Sequence, residues 1–92
     1  MPRLPHCASV YKETPVFDAT SVPAGLLASH RLKDNTWGQI EVLAGRLEYV
    51  LEDEANLTFV LRPGTSGSVA PTRPHHVSIG PDTRFRVKFL RI

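Results

Sequence analysis

Apolar and polar residues alternate over several short stretches of this 92-residue chain. Alternation with a period of two is typical of half-buried strands, because successive side chains of a strand point to opposite faces. No stretch carries apolar residues at the spacing of an amphipathic helix over several turns. We therefore predict strands at residues 26–32, 40–44, 46–52, 57–62, 68–71, 75–79 and 84–91.

Turn-forming residues separate these predicted strands. Gly45 lies between two of them and predicts a tight reversal, and the stretches 63–67 and 80–82 have the composition of loops. The stretch 23–25 predicts a turn, and the acidic stretch 52–56 predicts a solvated hairpin tip. Short strands at this spacing are typical of an all-β sandwich or barrel.

The alternation also assigns side chains to faces. His75 shares a face with Val77 along its predicted strand, whereas His76 points to the opposite side. His30 falls on the side of Leu26 in the first predicted strand. We therefore expect His30 and His75 to face the core and His76 to face solvent.

The composition is typical of a folded soluble domain, with 41% hydrophobic and 22% charged residues. A length of 92 residues fits one domain, 1–92, and is too short for a dinucleotide-binding enzyme. No apolar run approaches the ~20 residues of a membrane span, and the first ten residues lack the apolar core of a secretory signal. We therefore expect a cytoplasmic protein with no membrane partner.

The charge of the chain is mildly basic, with a net charge of +2 and a pI of about 9.0. The last predicted strand places Arg84, Arg86 and Lys88 on one face and its phenylalanines on the other. A stacking surface for nucleic acid needs basic and aromatic side chains on one accessible face, so we expect no nucleic-acid partner. The single cysteine, Cys7, excludes an internal disulfide and a four-cysteine zinc ribbon.

Two inward-facing histidines from distant parts of the chain, His30 and His75, are the strongest candidates for chemistry. Neutral imidazole is the commonest metal ligand, so this pair predicts a site for a divalent ion such as zinc, nickel or iron. Metal centres generally take three or four donors, but Glu41 and Glu48 alternate with apolar residues and are expected to point outwards. The alternative is that each histidine is a buried structural residue bonded to the backbone.

Several motifs along the chain resemble those of the TehB/YeaR-like domain family, which is associated with tellurite resistance. The resemblance runs from about Tyr11 to Arg91 and rests on the stretches Tyr11-Lys12-Glu13-Thr14-Pro15-Val16-Phe17, Thr36-Trp37-Gly38, Val42-Leu43-Ala44-Gly45-Arg46-Leu47 and Pro71-Thr72-Arg73-Pro74-His75-His76-Val77. Its members resemble cupins, so the resemblance implies a small antiparallel β-barrel of jelly-roll type with a site inside.

The resemblance also implies that His30 and His75 correspond to two recurrent histidines of the family. The sequence departs from the wider cupin pattern at Gly38, where that pattern has a metal-binding glutamate, and at Ala70, where the family often has an acidic residue. Some relatives carry a fused methyltransferase, and 92 residues are too few to include one.

The leading functional hypothesis is a cupin-like binding or stress-response domain whose cavity, lined by His30 and His75, holds a divalent metal ion or a small oxyanion. A small metal-dependent enzyme of the dioxygenase or isomerase type is an alternative, and it requires a carboxylate beside the two histidines. A purely structural interaction module is the other alternative. A barrel this small has a marginal core and exposed strand edges, so we also expect a homodimer.

Overall fold

Seven antiparallel strands form two sheets in the computed structural model, which describes residues 1–92. The strands are β1 (Ser9–Glu13), β2 (Trp37–Ala44), β3 (Leu47–Leu51), β4 (Leu57–Leu61), β5 (Ser66–Val69), β6 (His75–Ile79) and β7 (Arg84–Arg91). One short helix, α1 (Ala24–Leu27), precedes β2, and a 3₁₀ turn (Glu52–Glu54) connects β3 to β4. Neither helix has the length or the apolar character needed to span a membrane.

The strands are divided between a first sheet of four strands, in the order β1-β7-β2-β5, and a second sheet of three, in the order β4-β3-β6. Every paired strand is antiparallel, so the predicted all-β antiparallel class is confirmed. The hydrogen-bonded ladders do not close on each other, and no closed barrel is found. The radius of gyration is 12.2 Å, close to the ~12 Å expected for one compact unit of this length.

The core lies between the two sheets and is built from alternate residues of both. Its members are Ile40, Val42, Val69, Phe85 and Val87 from the first sheet and Leu47, Tyr49, Leu51, Leu61 and Val77 from the second. Tyr49 is fully buried and donates a hydrogen bond from its hydroxyl to the carbonyl oxygen of Ser68, 3.0 Å away. Burial raises the pKa of Tyr49 to about 12. The hydroxyl therefore stays protonated at neutral pH and keeps donating this hydrogen bond between the sheets.

The strand predicted at 26–32 is wrong. Its first two residues belong to α1, the rest is irregular, and only His30 bridges to a strand. Pro23 has a φ of −62° directly before α1, and a proline preset at this angle favours the start of a helix. The prediction also missed β1, all of whose residues are exposed and give no alternating signal.

Gly45 is held at the end of the molecule where the β2–β3 and β6–β7 turns meet. Its φ is +69°, and a Cβ built on it would lie 2.8 Å from the carbonyl oxygen of Asp82. Nearby, Thr83 is buried, and its hydroxyl donates to the carbonyl oxygen of Arg46 at 2.6 Å. The two turns therefore support each other through backbone contacts that leave no room for a side chain at Gly45.

Replacing Gly45 by alanine should destabilise the protein by at least about 1–2 kcal/mol, because a left-handed backbone is strained for any residue with a Cβ and the added carbon clashes with Asp82. Urea denaturation measures the change. Gly80→Ala is the matched control, since its Cβ would meet nothing within 4 Å. Equal stability of the two variants would show that the close approach of Asp82 to Gly45 does not constrain the turn.

Candidate functional site

A backbone bridge joins His30 to His75 across the open edge of the second sheet. The amide of His30 donates to the carbonyl oxygen of His75 at 2.8 Å, and the amide of His75 donates to that of His30 at 2.9 Å. Such a reciprocal pair of bonds fixes two residues opposite each other in antiparallel register. The bridge therefore brings together two histidines that are 45 positions apart in the chain.

The imidazole of His75 is buried, with 5% of the residue exposed. Its Nδ1 lies 3.0 Å from the carbonyl oxygen of Arg73, which can only accept, so Nδ1 carries a proton. Burial lowers the pKa of His75; this effect outweighs the hydrogen bond to the Arg73 carbonyl, which raises the pKa, and the nearby His30 lowers it further. The ring is therefore neutral at pH 7, and its Nε2 presents a lone pair.

The Nε2 of His75 has no hydrogen-bond partner within the chain. Every fully buried side-chain nitrogen or oxygen has a hydrogen-bond partner, and Nε2 makes no hydrogen bond within the chain, so it is not fully enclosed. This nitrogen is therefore left free to accept a hydrogen bond from a small molecule beside it.

The ring of His30 lies edge-to-face against that of His75, with the centroids 5.3 Å apart and the planes at 78°. Both rings contribute to the lining of a cavity of about 30 Å³ between the sheets. The rest of the lining is mostly apolar and consists of Leu26, Leu32, Gly38, Ile40, Val69, Val77, Phe85, Val87 and Phe89. A space of this size holds about one or two molecules the size of water.

No third metal donor reaches this pair. The chain has no group of three or more His, Cys, Asp or Glu side chains arranged to hold a metal ion. Glu41 faces away from the core, where it pairs with Arg86 at 2.7 Å and Lys88 at 3.2 Å, and hydrogen bonds from these two side chains lower its pKa. The residues present thus do not fit a three-donor centre.

His76 points to the opposite side of β6 from His75, as alternation predicts, but it is only partly exposed. Its Nδ1 lies 2.6 Å from a carboxylate oxygen of Glu52. That hydrogen bond is the main cause of a lowered pKa at Glu52, with a second contribution from Ser29. His76 therefore forms a surface pair with the 3₁₀ turn.

The acidic stretch 52–56 forms the largely exposed tip of the β3–β4 hairpin, as predicted, and Arg73 binds it. The Arg73 guanidinium lies 3.0 Å from Asp53 and 2.6 Å from Glu54. Hydrogen bonds to these two carboxylates raise the pKa of Arg73. Since the Arg73 carbonyl also accepts the proton of His75, this arginine is a positioning residue for the site that sequence reasoning missed.

A family model for the TehB-like domain matches residues 12–87. The chain belongs to the TehB-like domain family. The match includes both histidines of the bridge, and the family resemblance inferred from the motifs is confirmed. No curated protein matches the chain.

This TehB-like domain is similar to two solved structures. A protein from E. coli strain K12 matches with a TM-score of 0.88 and 19% identity over 98% of this chain and 96% of that one, which shows a shared fold. TehB from Haemophilus influenzae matches with a TM-score of 0.83 and 25% identity over 91% of this chain. The match covers 31% of the TehB chain, so this TehB-like domain spans about a third of that protein.

Acidification should destabilise the protein through His75. Because burial lowers the pKa of His75 below the ordinary value of 6.5, the unfolded chain binds a proton that the folded chain does not. The contribution of His75 to the free energy of unfolding is therefore fully present above about pH 6.5. Below that pH the contribution decreases, by at most about 1.4 kcal/mol per pH unit. Chemical denaturation in the presence of a chelator, from pH 7.5 to 5.5, measures this decline.

The matched variants for this pH series are His75→Gln and His6→Gln, since His6 is exposed. The first should show a shallower decline than the wild type, and the second should follow the wild type. Parallel curves for the wild type and His75→Gln would show that His75 does not cause the decline.

Proposed function

We propose that this TehB-like domain is a binding module for a small oxyanion that carries a proton, held at the imidazoles of His75 and His30. The observation that carries the proposal is the Nε2 of His75, which has no partner within the chain and carries no proton because Arg73 holds the proton of the other ring nitrogen. A neutral imidazole nitrogen of this kind accepts a hydrogen bond. A hydroxyl-bearing oxyanion supplies the donor.

The family association supports this ligand class. The chain belongs to the TehB-like domains and resembles a family associated with tellurite resistance, and hydrogen tellurite is an oxyanion with a hydroxyl group. TehB itself is a longer chain, and this domain corresponds to 31% of it. The proposed role is capture of the oxyanion, with any chemical conversion left to other domains or proteins.

A two-histidine metal site is the second candidate, and the approach of the two rings to 5.3 Å between centroids favours it. In this version His30 and His75 would each supply one nitrogen to zinc, nickel or iron, and water would complete the coordination. Two protein donors make a weak, pH-dependent site, because protonation of imidazole competes with the metal.

We further infer that the two facing sheets are a jelly-roll sandwich of the cupin type. A jelly roll has eight strands in two sheets. If His30 is counted as a strand of the second sheet, this chain also has eight strands, and it passes between the two sheets in a similar order. The bridge from His30 to the outer edge of β6 supports this view. His30 would then be the remnant of the eighth strand.

A cupin-type enzyme is less well supported by the contacts. The position where the wider cupin pattern has a glutamate is Gly38, and a Cβ there would already lie 3.0 Å from Leu32 Cδ1 and 3.3 Å from Val69 Cβ. A carboxylate could enter only if Leu32 moved. The contacts thus favour binding over a reaction that needs a two-histidine, one-carboxylate centre.

The homodimer stays a prediction. The outer strand β4 exposes Leu57 and Val60, and an outer strand also carries unpaired backbone groups on its free side. Association of two copies would cover both features.

Binding of sodium tellurite and of zinc chloride, each titrated into metal-free protein and followed by NMR of the histidine side chains, tests the proposal. We expect saturable shifts of the His75 and His30 resonances with tellurite. His75→Ala should lower the affinity by about tenfold or more, since hydrogen bonds to charged groups are worth about 1.5–3 kcal/mol. His6→Ala is the control and should bind as the wild type does.

The outcomes of this titration separate the two candidates. Saturation by tellurite with no response to zinc supports the oxyanion, and the reverse supports the metal site. If neither probe moves the two histidines, or if His75→Ala binds as tightly as the wild type, the proposed site is wrong.

A further inference from the structure

A second concavity lies beside the cavity of the two histidines. It has a volume of about 250 Å³, and its polar lining consists of Tyr11, Lys12, His30, Arg31, Lys33 and Thr36. We call it the basic cleft. It shares His30, Leu32 and Phe89 with the inner cavity, so the two spaces are adjacent but present different chemistry.

The three cations of the basic cleft, Lys12, Arg31 and Lys33, form no ion pairs. Ion pairs in the structure involve Arg73, Arg86, Lys88 and His76, and none involves Lys12, Arg31 or Lys33. Asp34, the one carboxylate in the adjoining turn, does not line the cleft. Asp53, whose pKa is lowered mainly by its hydrogen bond with Arg73, is also attracted by Arg31 but forms no ion pair with it. Three like charges therefore lie around one concavity without an ion-paired carboxylate, which concentrates positive potential there.

A β-bulge explains why two neighbouring residues of β1 both line the cleft. The register of β1 against β7 shifts between Val10 and Lys12, so Tyr11 is the extra residue and Lys12 pairs with Phe89. Successive residues of a regular strand would point to opposite faces, but a bulge re-aims a side chain. The Tyr11 ring is in turn covered by Arg91, whose guanidinium carbon lies 3.8 Å from the ring centroid.

The segment that supplies the other cations is held by backbone hydrogen bonds. His30 is fixed by its bridge to His75, the Leu32 carbonyl oxygen accepts from the Thr72 amide at 3.0 Å, and the Thr36 amide donates to the Lys33 carbonyl oxygen at 3.1 Å. Leu32 also packs against the core. Arg31 and Lys33, on either side of Leu32, are thus carried by a well-anchored backbone, which reduces the ordering required on binding.

We propose that the basic cleft is a binding site for a phosphate-type oxyanion, separate from the site at His75. Lysine and arginine side chains on two sides supply charge-assisted hydrogen bonds, and the hydroxyls of Tyr11 and Thr36 supply further polar contacts. Another concavity, beside Arg46 and Arg62, has only two cations and also contains the carboxylate of Asp82. The basic cleft is therefore the better match for a multiply charged anion.

Titration with inorganic phosphate at pH 7.5, with ionic strength held constant by sodium chloride, tests this site. We expect saturable changes in the backbone amide NMR signals of residues 31–36. Lys12→Ala, Arg31→Ala and Lys33→Ala should each weaken phosphate binding about fivefold to tenfold. Arg84→Ala, which removes an exposed and unpaired cation elsewhere, should change the affinity less than twofold.

Tyrosine absorbance is a second measurement of the same event. The protein has two tyrosines; the pKa of Tyr49 is raised to about 12 by burial, and the pKa of Tyr11 is lowered, first by its hydrogen bond with Thr36. Ionisation of tyrosine below pH 11 therefore reports on Tyr11. Bound phosphate should raise the midpoint of this ionisation, and Tyr11→Phe should abolish the signal.

Three results would overturn the proposal: no saturable response to phosphate, an equal loss of affinity in Arg84→Ala and the cleft variants, or unchanged affinity in all of them. His75→Ala separates this site from the function proposed above. Phosphate binding should survive in that variant whether or not the histidine site binds tellurite.

Discussion

Two backbone hydrogen bonds hold His30 against His75, at 2.8 and 2.9 Å, and both candidate sites depend on them. They are the only strand-type pairing made by the long connection between β1 and β2 on the side of the second sheet. Without these hydrogen bonds, the His30 imidazole would not be held beside that of His75. The segment that carries Arg31 and Lys33 would also no longer be fixed at its N-terminal end. This bridge therefore positions both the histidine pair and the basic cleft.

The electrostatics of the site follow from a chain of contacts that begins on the surface. Asp53 and Glu54 bind the Arg73 guanidinium, the Arg73 carbonyl accepts the Nδ1 proton of His75, and burial keeps the ring neutral. The result is an imidazole nitrogen with a lone pair beside a small, mostly apolar cavity. On the other side of the shared residues His30 and Phe89, the cations of the basic cleft are exposed and unpaired. The domain thus offers a hydrogen-bond acceptor, Nε2 of His75, beside the inner cavity and positive charge in the basic cleft.

The sequence predicted the parts of the fold that depend on local alternation. β3, β4, β6 and β7 lie close to their predicted ranges, and His75 and His76 point to opposite sides as their neighbours indicate. The family was also identified from the motifs. The strands and their faces can be predicted from the sequence because apolar and polar residues alternate where one face of a strand is buried.

The rest depends on contacts between residues that are distant in sequence. Arg73 reaches acidic residues about 20 positions away, which no local pattern shows. β1 is exposed throughout, so its bulge at Tyr11 and the resulting basic cleft leave no periodic signal. His30 faces His75 through an isolated bridge rather than through the strand that alternation predicts, so its position is set by tertiary pairing.

The tautomer of His75 is the most direct test of the proposed acceptor site, and long-range proton–nitrogen NMR of the imidazole at pH 7.5 measures it. We expect a neutral ring with the proton on Nδ1, held by the Arg73 carbonyl oxygen at 3.0 Å, and an unprotonated Nε2. A proton on Nε2, or a charged ring at that pH, would contradict the proposal, because the nitrogen expected to meet the ligand would then have no lone pair.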